Sequence, residues 1–453
     1  MNNQDLDVQD FINRHPFSPY QWLVFVLCFA VVLLDGFDTA AIGFIAPSLL
    51  KEWGIDKPAL APVLSAALFG LAAGAIVAGP LADRLGRRIV LLASVLAFGA
   101  ACFASAFAGG LEQLVILRFL TGIGLGAAMP NAVTLISEFC PDARRSFVTN
   151  AMFCGFPLGA ACGGFLAAWM IPQWGWRSVL ELGGAVPLAL AVIMVFTLPE
   201  SVRHLVARNA SPARIGAILR RIHPAAASAG RFVMAGEGAT AARGGVAVVF
   251  SRPYLAGTLM LWLAYFMGLV IFYALINWMP VLFKEAGLPA QSATLIAALF
   301  PLGGVGAILF GWLMDRYDAN RVIAIGFALT AVAVFMIGQV VGNLGLLTAT
   351  VFLAGTLMNT AQSSLPALAA MYYPTRGRAT GVAWMLGVGR FGGIAGSFLV
   401  AELTRRQLPF SDVFAVVAAA AVVSTSALVV KFLIDQRRPR GGDPALRAQA
   451  SLH

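Results

Sequence analysis

Twelve runs of predominantly apolar residues, most of them about twenty long or longer, recur along the sequence and restrict it to one kind of fold. They lie near 20–47, 59–82, 89–108, 113–138, 147–170, 179–198, 254–283, 290–314, 321–342, 345–371, 379–402 and 411–434. About twenty apolar residues is the length of an α-helix that crosses a bilayer. In hydrocarbon a segment outside a closed barrel must be helical to satisfy its own backbone. Composition points the same way: 59% of the residues are hydrophobic and 11% charged, too little polar side chain to cover a soluble globule. The chain is expected to be an all-α polytopic membrane protein lying in a lipid bilayer. No short apolar stretch with a small-residue cleavage site follows the polar first twenty residues, so the first helix is expected to stay in place. The cysteines, Cys28, Cys102, Cys140, Cys154 and Cys162, have neither metal nor disulfide spacing and read as small core residues. No metal and no cofactor is expected.

The runs fall into two sets of six. Residues 199–253 are polar and carry eight arginines (Arg203, Arg208, Arg214, Arg220, Arg221, Arg231, Arg243, Arg252). This divides the chain into an N-terminal six-helix bundle (1–198), a linker (199–253) and a C-terminal six-helix bundle with a tail (254–453). With both termini cytoplasmic, the remaining inside cations are Arg14, Arg84, Arg87, Arg88, Arg144, Arg145, Arg316, Arg321, Arg376, Arg378, Lys431, Arg437, Arg438, Arg440 and Arg447. Only Lys51, Lys57, Arg177, Lys284, Arg405 and Arg406 fall outside. The net charge of +10 is therefore topological, and its spread over loops argues against nucleic-acid binding.

The halves also repeat in sequence. Gly79-Pro-Leu-Ala-Asp83-Arg84-Leu-Gly86-Arg87-Arg88 after the second run returns 232 residues later as Gly311-Trp-Leu-Met-Asp315-Arg316-Tyr-Asp-Ala-Asn-Arg321. The same offset carries Arg144 onto Arg376, Gly155 onto Gly387 and Gly164 onto Gly396. Two parallel halves related by an axis along the membrane normal follow, with a transport site expected between them near midplane.

Inside the first run stand two carboxylates, Asp35 and Asp38, in Val-Val-Leu-Leu-Asp35-Gly-Phe-Asp38-Thr-Ala-Ala-Ile-Gly-Phe-Ile-Ala-Pro47. Ionisable groups at membrane depth are costly and mark ion or substrate paths, or else a fixed ion pair with a neighbouring helix. Spacing of three residues puts both on one side of the helix.

These motifs resemble those of the major facilitator superfamily across essentially the whole chain. The loop Gly79 to Arg88 is similar to its best-known signature. Leu114-x-x-x-Arg118-x-x-x-Gly122 is similar to a second, and Gly155-x-Pro157-x-Gly159-x-x-x-Gly163-Gly164 to a third. More narrowly, Asp35-Gly-Phe-Asp38-Thr-Ala-Ala-Ile-Gly-Phe-Ile-Ala-Pro47 resembles the signature of the aromatic acid:proton symporter family. That resemblance implies twelve transmembrane helices in two pseudo-symmetric bundles, in the bacterial inner membrane. It also implies secondary active import, by alternating access, of an aromatic carboxylate of the 4-hydroxybenzoate, protocatechuate or benzoate type together with protons. The second loop copy departs from the pattern, with Asp318 and Asn320 where Gly86 and Arg88 stand in the first.

Residue chemistry fits these expectations. A carboxylate substrate needs a cation, and Arg390, about eleven residues into the eleventh run, is the first candidate because its planar fork suits a bidentate carboxylate. Arg118 in the fourth run is a second candidate for binding the substrate and can also pair with Asp35 or Asp38 and tune it, and the two aspartates are the proton-coupling candidates. Asn131, Phe266, Tyr273, Asn277, Trp278, Asn359 and Gln362 offer a polar and aromatic lining for a hydroxylated ring, although any of them can serve instead in helix packing. Gly79, Asp83, Arg84, Gly86, Arg87, Arg88, Asp315 and Arg316 are candidates for a gate, the glycines allowing close approach and the charges forming a latch. Glu138, Glu181 and Glu402 near run ends read as interfacial or loop-paired. The alternatives are a proton-coupled carrier of a non-aromatic organic acid and an exporter. An enzyme is disfavoured, because the four histidines all lie in polar segments and no catalytic set is evident. Gly387-x-Gly389-x-x-Gly392 imitates a dinucleotide fingerprint but lies within an apolar helix with no preceding strand. The chain is expected to work as a monomer.

Overall fold

The first long helix begins where the sequence supplies its cap. Ser18 Oγ accepts from the Gln21 N–H (3.3 Å), Gln21 Oε1 accepts from the Ser18 N–H (2.7 Å), and Pro19 takes the first turn. In the computed structural model, which describes residues 5–228, 231–233, 249–306, 313–314, 316–373 and 375–437, this helix is preceded by β1 (Asp5–Asp7) and α1 (Val8–Arg14). The first half then runs α2 (Pro19–Trp53), α3 (Leu60–Leu85), α4 (Arg87–Ser105), α5 (Leu111–Phe139), α6 (Arg145–Phe153), α7 (Gly155–Trp174) and α8 (Arg177–Thr197). The connecting segment holds α9 (Val202–Ala207), α10 (Pro212–Ile222) and β2 (Arg231–Val233). The second half comprises α11 (Arg252–Glu285), α12 (Ala290–Leu302), α13 (Ala319–Gln339), α14 (Leu344–Tyr372), α15 (Thr375–Arg405) and α16 (Phe410–Arg437).

Among the described residues eleven helices are long and apolar enough to cross a membrane. The shorter apolar helix α12 stands at the start of the eighth expected span, and residues 307–312 of that span lie outside the described residues. The fifth span is divided at Cys154 into α6 and α7.

The contacts of the two halves correspond. In the first, α2 packs on α7, α3 on α5, and α4 on α5 and α8; in the second, α11 packs on α15, α12 on α14, and α13 on α14 and α16. Glycines make the crossings close. A Cβ on Gly36 would overlap the Phe156 backbone and one on Gly159 the Leu33 carbonyl, where α2 meets α7. Gly392 and Gly396 stand likewise against the Phe266 and Val270 carbonyls, where α11 meets α15. Between the halves, α2 touches α11, α3 touches α15, and α7 touches α12.

The buried apolar residues divide unequally. One cluster joins the second half to the part of the first half around Phe44, Leu60 and Leu180. Another, around Val31, Leu135 and Leu198, belongs to the first half and the segments packed beneath it. The halves thus share a core at the end carrying Trp53 and Glu285, and less so at the end carrying α9 and α10. That linker end departs from a simple connection between bundles. Ile215, Leu219 and Ile222 of α10 join the first half's core, and β2 pairs in parallel with β1. The α10 stripe at i, i+4 and i+7 buries one face while Arg214, Arg220 and Arg221 stay on the other. The reading of the cysteines needs one correction. Cys28, Cys102 and Cys140 are buried, but Cys162 is exposed on the outer face of α7, where an apolar thiol has hydrocarbon to face in a membrane.

Candidate functional site

The middle of α2 is buried on all sides from Val31 to Pro47 apart from Leu33, so both carboxylates are enclosed by protein: Asp35 is 3% exposed and Asp38 fully buried. Successive side chains on a helix turn by about 100°, so residues three apart diverge by about 60°. The two aspartates accordingly reach different partners. Asp38 faces α5, where Arg118 binds it through both carboxylate oxygens, Nη1 to Oδ1 at 2.7 Å and Nη2 to Oδ2 at 2.8 Å, with a further bond from Nη2 to the Asp38 carbonyl at 3.3 Å. Both side chains are wholly removed from solvent. Asp35 accepts from Thr39 Oγ1 at 3.4 Å, one turn along the same helix. Sequence spacing left Arg118 a choice of aspartates, and packing gives it to Asp38.

Arg390 approaches from the other half. It lies mid-helix in α15, within electrostatic reach of Asp35, Tyr265 and Tyr273, and its Nη1 donates to the Leu71 carbonyl of α3 at 3.0 Å. A narrow cavity lies alongside, between the halves. Thr39, Ile42, Leu64, Leu71 and Arg118 line it from the first half, and Tyr273 and Asn277 from α11. It has room for little more than a water molecule, so a ring-sized ligand needs the halves to part. Tyr273 packs edge-on against Phe272, and its ring lies over Gly393, where any side chain would overlap it.

The remaining lining candidates divide by what they bond. Asn277 Nδ2 donates to Ser397 Oγ at 2.9 Å and Trp278 Nε1 to the Ser397 carbonyl at 3.1 Å, tying α11 to α15. Gln362 Nε2 donates to the Tyr265 carbonyl at 3.2 Å, and the Phe266 carbonyl lies against Gly392. Asn131 bonds the Ala127 carbonyl of its own helix at 2.8 Å, and Asn359 bonds Gly355 of its own helix and Phe300 of α12. Asn131 and Asn359 thus hold the helix framework, whereas Tyr273 and Asn277 border the cavity. Tyr265, Thr39 and Ser397 join the site without having been singled out in the sequence. Each is an ordinary polar residue in a span, and only the helix crossings reveal its neighbours.

At the linker end Gly86 has φ +99° and ends α3, and a Cβ there would meet the Glu200 carboxylate. Glu200 Oε1 accepts from the backbone N–H groups of Arg87 (2.9 Å) and Arg88 (3.2 Å), capping the N-terminus of α4. Arg87 Nε lies 3.8 Å from Glu138 Oε1, Ser201 Oγ also donates to Glu138, Arg88 reaches the Val195 carbonyl, and Arg208 holds the Arg84 carbonyl at 2.6 Å. Glu138 is therefore loop-paired, as expected. Glu200, not singled out in the sequence, is the residue that organises this loop. Of Gly79 and Asp83 only the helical backbone is described, Asp315 lies outside the described residues, and Arg316 is exposed. At the opposite end Lys57 pairs with Glu285, and Lys284 Nζ donates to the Pro47 carbonyl at 3.3 Å, joining the halves there.

The model of the Major Facilitator Superfamily matches residues 28–308 and 287–452. The 4-hydroxybenzoate transporter PcaK of Pseudomonas aeruginosa is 51% identical over 431 residues, 95% of this chain and 96% of that protein. The gallate transporter of Pseudomonas putida is 49% identical over 395 residues, 87% of this chain and 88% of its own length. The benzoate transport protein of Acinetobacter baylyi is 31% identical over 450 residues, 98% and 95% of the two chains. Among solved structures, a bacterial homologue of the human lysosomal transporter Spinster, inward-facing and unoccupied, superposes with a TM-score of 0.70 at 16% identity, covering 93% of this chain and 98% of that one. The D-xylose-proton symporter does so at 0.69 and 18%, covering 91% and 97%.

Proposed function

This chain belongs to the major facilitator superfamily, among its aromatic acid transporters, and from that premise we propose that it imports an aromatic carboxylate of the 4-hydroxybenzoate, protocatechuate or benzoate type together with protons. It is not an enzyme. The observation that carries the reading is the placement of Arg390 of α15 within electrostatic reach of Asp35 of α2, across the two halves and beside a cavity bordered by Tyr273 and Asn277.

The chemistry follows from charge. Arg390 supplies a planar fork for the substrate carboxylate. Asp35, in electrostatic reach of that guanidinium and holding no arginine of its own among the described contacts, competes with the substrate for the cation while ionised. A proton on Asp35 removes the competitor, so proton and anion bind together. Asp38 is neutralised by Arg118, and the pair passes protonation changes at the site to the α2–α5 contact. Coupling is needed because a monovalent anion entering a cell negative inside works against about 2.3 kcal/mol per 100 mV. One proton per anion makes the step electroneutral, and a second lets the potential assist.

Alternating access then consists of parting the halves at one end while they close at the other. The contacts Lys57–Glu285 and Lys284–Pro47 and the shared core at that end support a conformation closed there. The positive-inside distribution makes that end the outer one and puts both termini in the cytoplasm of a bacterial inner-membrane protein. We assign Gly79, Asp83, Arg84, Gly86, Arg87 and Arg88, with Asp315 and Arg316 in the second copy, to the inner latch, which closes when the carrier faces outward. The chain acts as a monomer, since each site is built from the two halves of one chain. Uptake of labelled 4-hydroxybenzoate into proteoliposomes with an alkaline interior tests the proposal. Accumulation that a protonophore abolishes is expected, and accumulation driven by a sodium gradient instead would overturn it.

A further inference from the structure

Asn277 carries an unanswered hydrogen-bond acceptor beside the cavity. The residue is 1% exposed, and among the described residues its Oδ1 has no partner, although buried polar atoms are nearly always paired. Asn277 Nδ2 donates to Ser397 Oγ at 2.9 Å, and Ser397 Oγ donates in turn to the Gly393 carbonyl at 3.3 Å. Oδ1 is left without a partner among the described residues, on a side chain that borders the cavity with Tyr273 and Thr39.

We propose that Asn277 Oδ1 accepts a hydrogen bond from a hydroxyl at the para position of the substrate ring, and so sets the preference for hydroxylated over unsubstituted benzoates. The assignment rests on the proposed function above, in which Arg390 holds the carboxylate. Spacing supports it. Ser397, which anchors Asn277, lies seven residues from Arg390 on α15, about 10 Å along the helix. A carboxylate and a para hydroxyl on one ring are about 6 Å apart, and a hydrogen bond of about 3 Å at each end gives a span of about 12 Å, of the same order as that rise. An acceptor that cannot donate repels a substituent with lone pairs and no proton, so a para fluorine or methoxy group leaves Oδ1 as unsatisfied as before. Gln362 Oε1 is also buried without a partner, but it packs against Gly268 and does not border the cavity, so Asn277 is the better-placed acceptor.

The test is displacement of labelled 4-hydroxybenzoate from the purified full-length protein by para-substituted benzoates. The 4-hydroxy and 4-amino acids, which can donate, are expected to displace at concentrations at least 10-fold below those needed for the 4-fluoro and 4-methoxy acids or benzoate. In Asn277→Leu the 4-hydroxy to 4-fluoro ratio falls to within about 3-fold, whereas Asn277→Asp, which keeps an acceptor, retains the preference. Should the leucine variant fail to fold, the wild-type series and the aspartate variant decide. Equal displacement by all the benzoates in the wild type, or an undiminished preference in Asn277→Leu, removes the role of Asn277 and leaves aromatic acid transport standing. Binding of none of them, with transport of an aliphatic acid instead, overturns the proposed function and this assignment with it.

Discussion

Replacing Asp38 by Asn isolates the buried pair in the first membrane helix. Arg118 makes three hydrogen bonds to Asp38, two of them to the carboxylate at 2.7 and 2.8 Å, and neither side chain is reached by solvent. At an effective dielectric of about 20, unit charges about 4 Å apart attract by ~4 kcal/mol. Breaking a buried pair from one side costs about 3–5 kcal/mol, because the surviving charge is stranded. Asp38→Asn should therefore lower the unfolding midpoint of the detergent-solubilised protein markedly and abolish concentrative uptake. The double variant Asp38→Asn with Arg118→Gln leaves a neutral hydrogen-bonded pair in the same place. It should regain most of the stability but none of the uptake, so the two substitutions should be strongly non-additive, the double variant costing less than either single one. Thermal unfolding followed by tryptophan fluorescence, with uptake measured on the same preparations, separates the two effects. A single variant destabilised by less than ~1 kcal/mol that still accumulates substrate under a pH gradient would refute the reasoning, since 1 kcal/mol is within the range of an exposed pair.

Further outcomes follow from other contacts. Asp35→Asn should retain substrate binding and exchange of internal for external substrate while losing accumulation driven by a pH gradient, as read in counterflow and net-uptake assays on one preparation. Arg390→Ala should raise the half-saturating substrate concentration by about 10- to 100-fold, the worth of a charge-assisted hydrogen bond of about 1.5–3 kcal/mol, and Arg390→Lys should recover only part because it lacks the fork. A side chain on Gly43 would overlap the backbone of Ile276 and Asn277 across the two halves, so Gly43→Val should keep the fold and stop transport by blocking closure at that end, seen as increased labelling of a cysteine placed at Lys57. Glu200→Gln keeps a weaker cap on α4 and should cost about 1 kcal/mol of stability, measured by thermal unfolding.

What the sequence made legible follows from how the bilayer selects residues. Span length and the 232-residue repeat are imposed by hydrocarbon thickness and by duplication, so the helices and the correspondence of their contacts could be read directly. Asp35, Asp38, Arg118 and Arg390 stood out because charge at membrane depth is costly. Their pairing was not legible. A 60° divergence between side chains three apart is small on a helical wheel, yet it separates an aspartate locked to Arg118 from one bonded only within its own helix among the described contacts. Asn131 and Asn359 looked like Asn277 in sequence, and only the crossing of α11 with α15 distinguishes a framework amide from one facing the cavity. Glu200 and α10 were hidden for a different reason. They belong to polar segments whose role depends on which helix ends they meet, and the stripe of Ile215, Leu219 and Ile222 was the available signal that the connecting segment packs against the first half.

The most direct measurement is uptake of labelled 4-hydroxybenzoate into proteoliposomes containing the wild-type protein, alkaline inside, beside the Asp35→Asn variant, which leaves the Asp38–Arg118 pair intact. Proton-driven accumulation in the wild type, collapsed by a protonophore and absent from the variant, is the predicted result. Accumulation of equal extent in both would contradict the account.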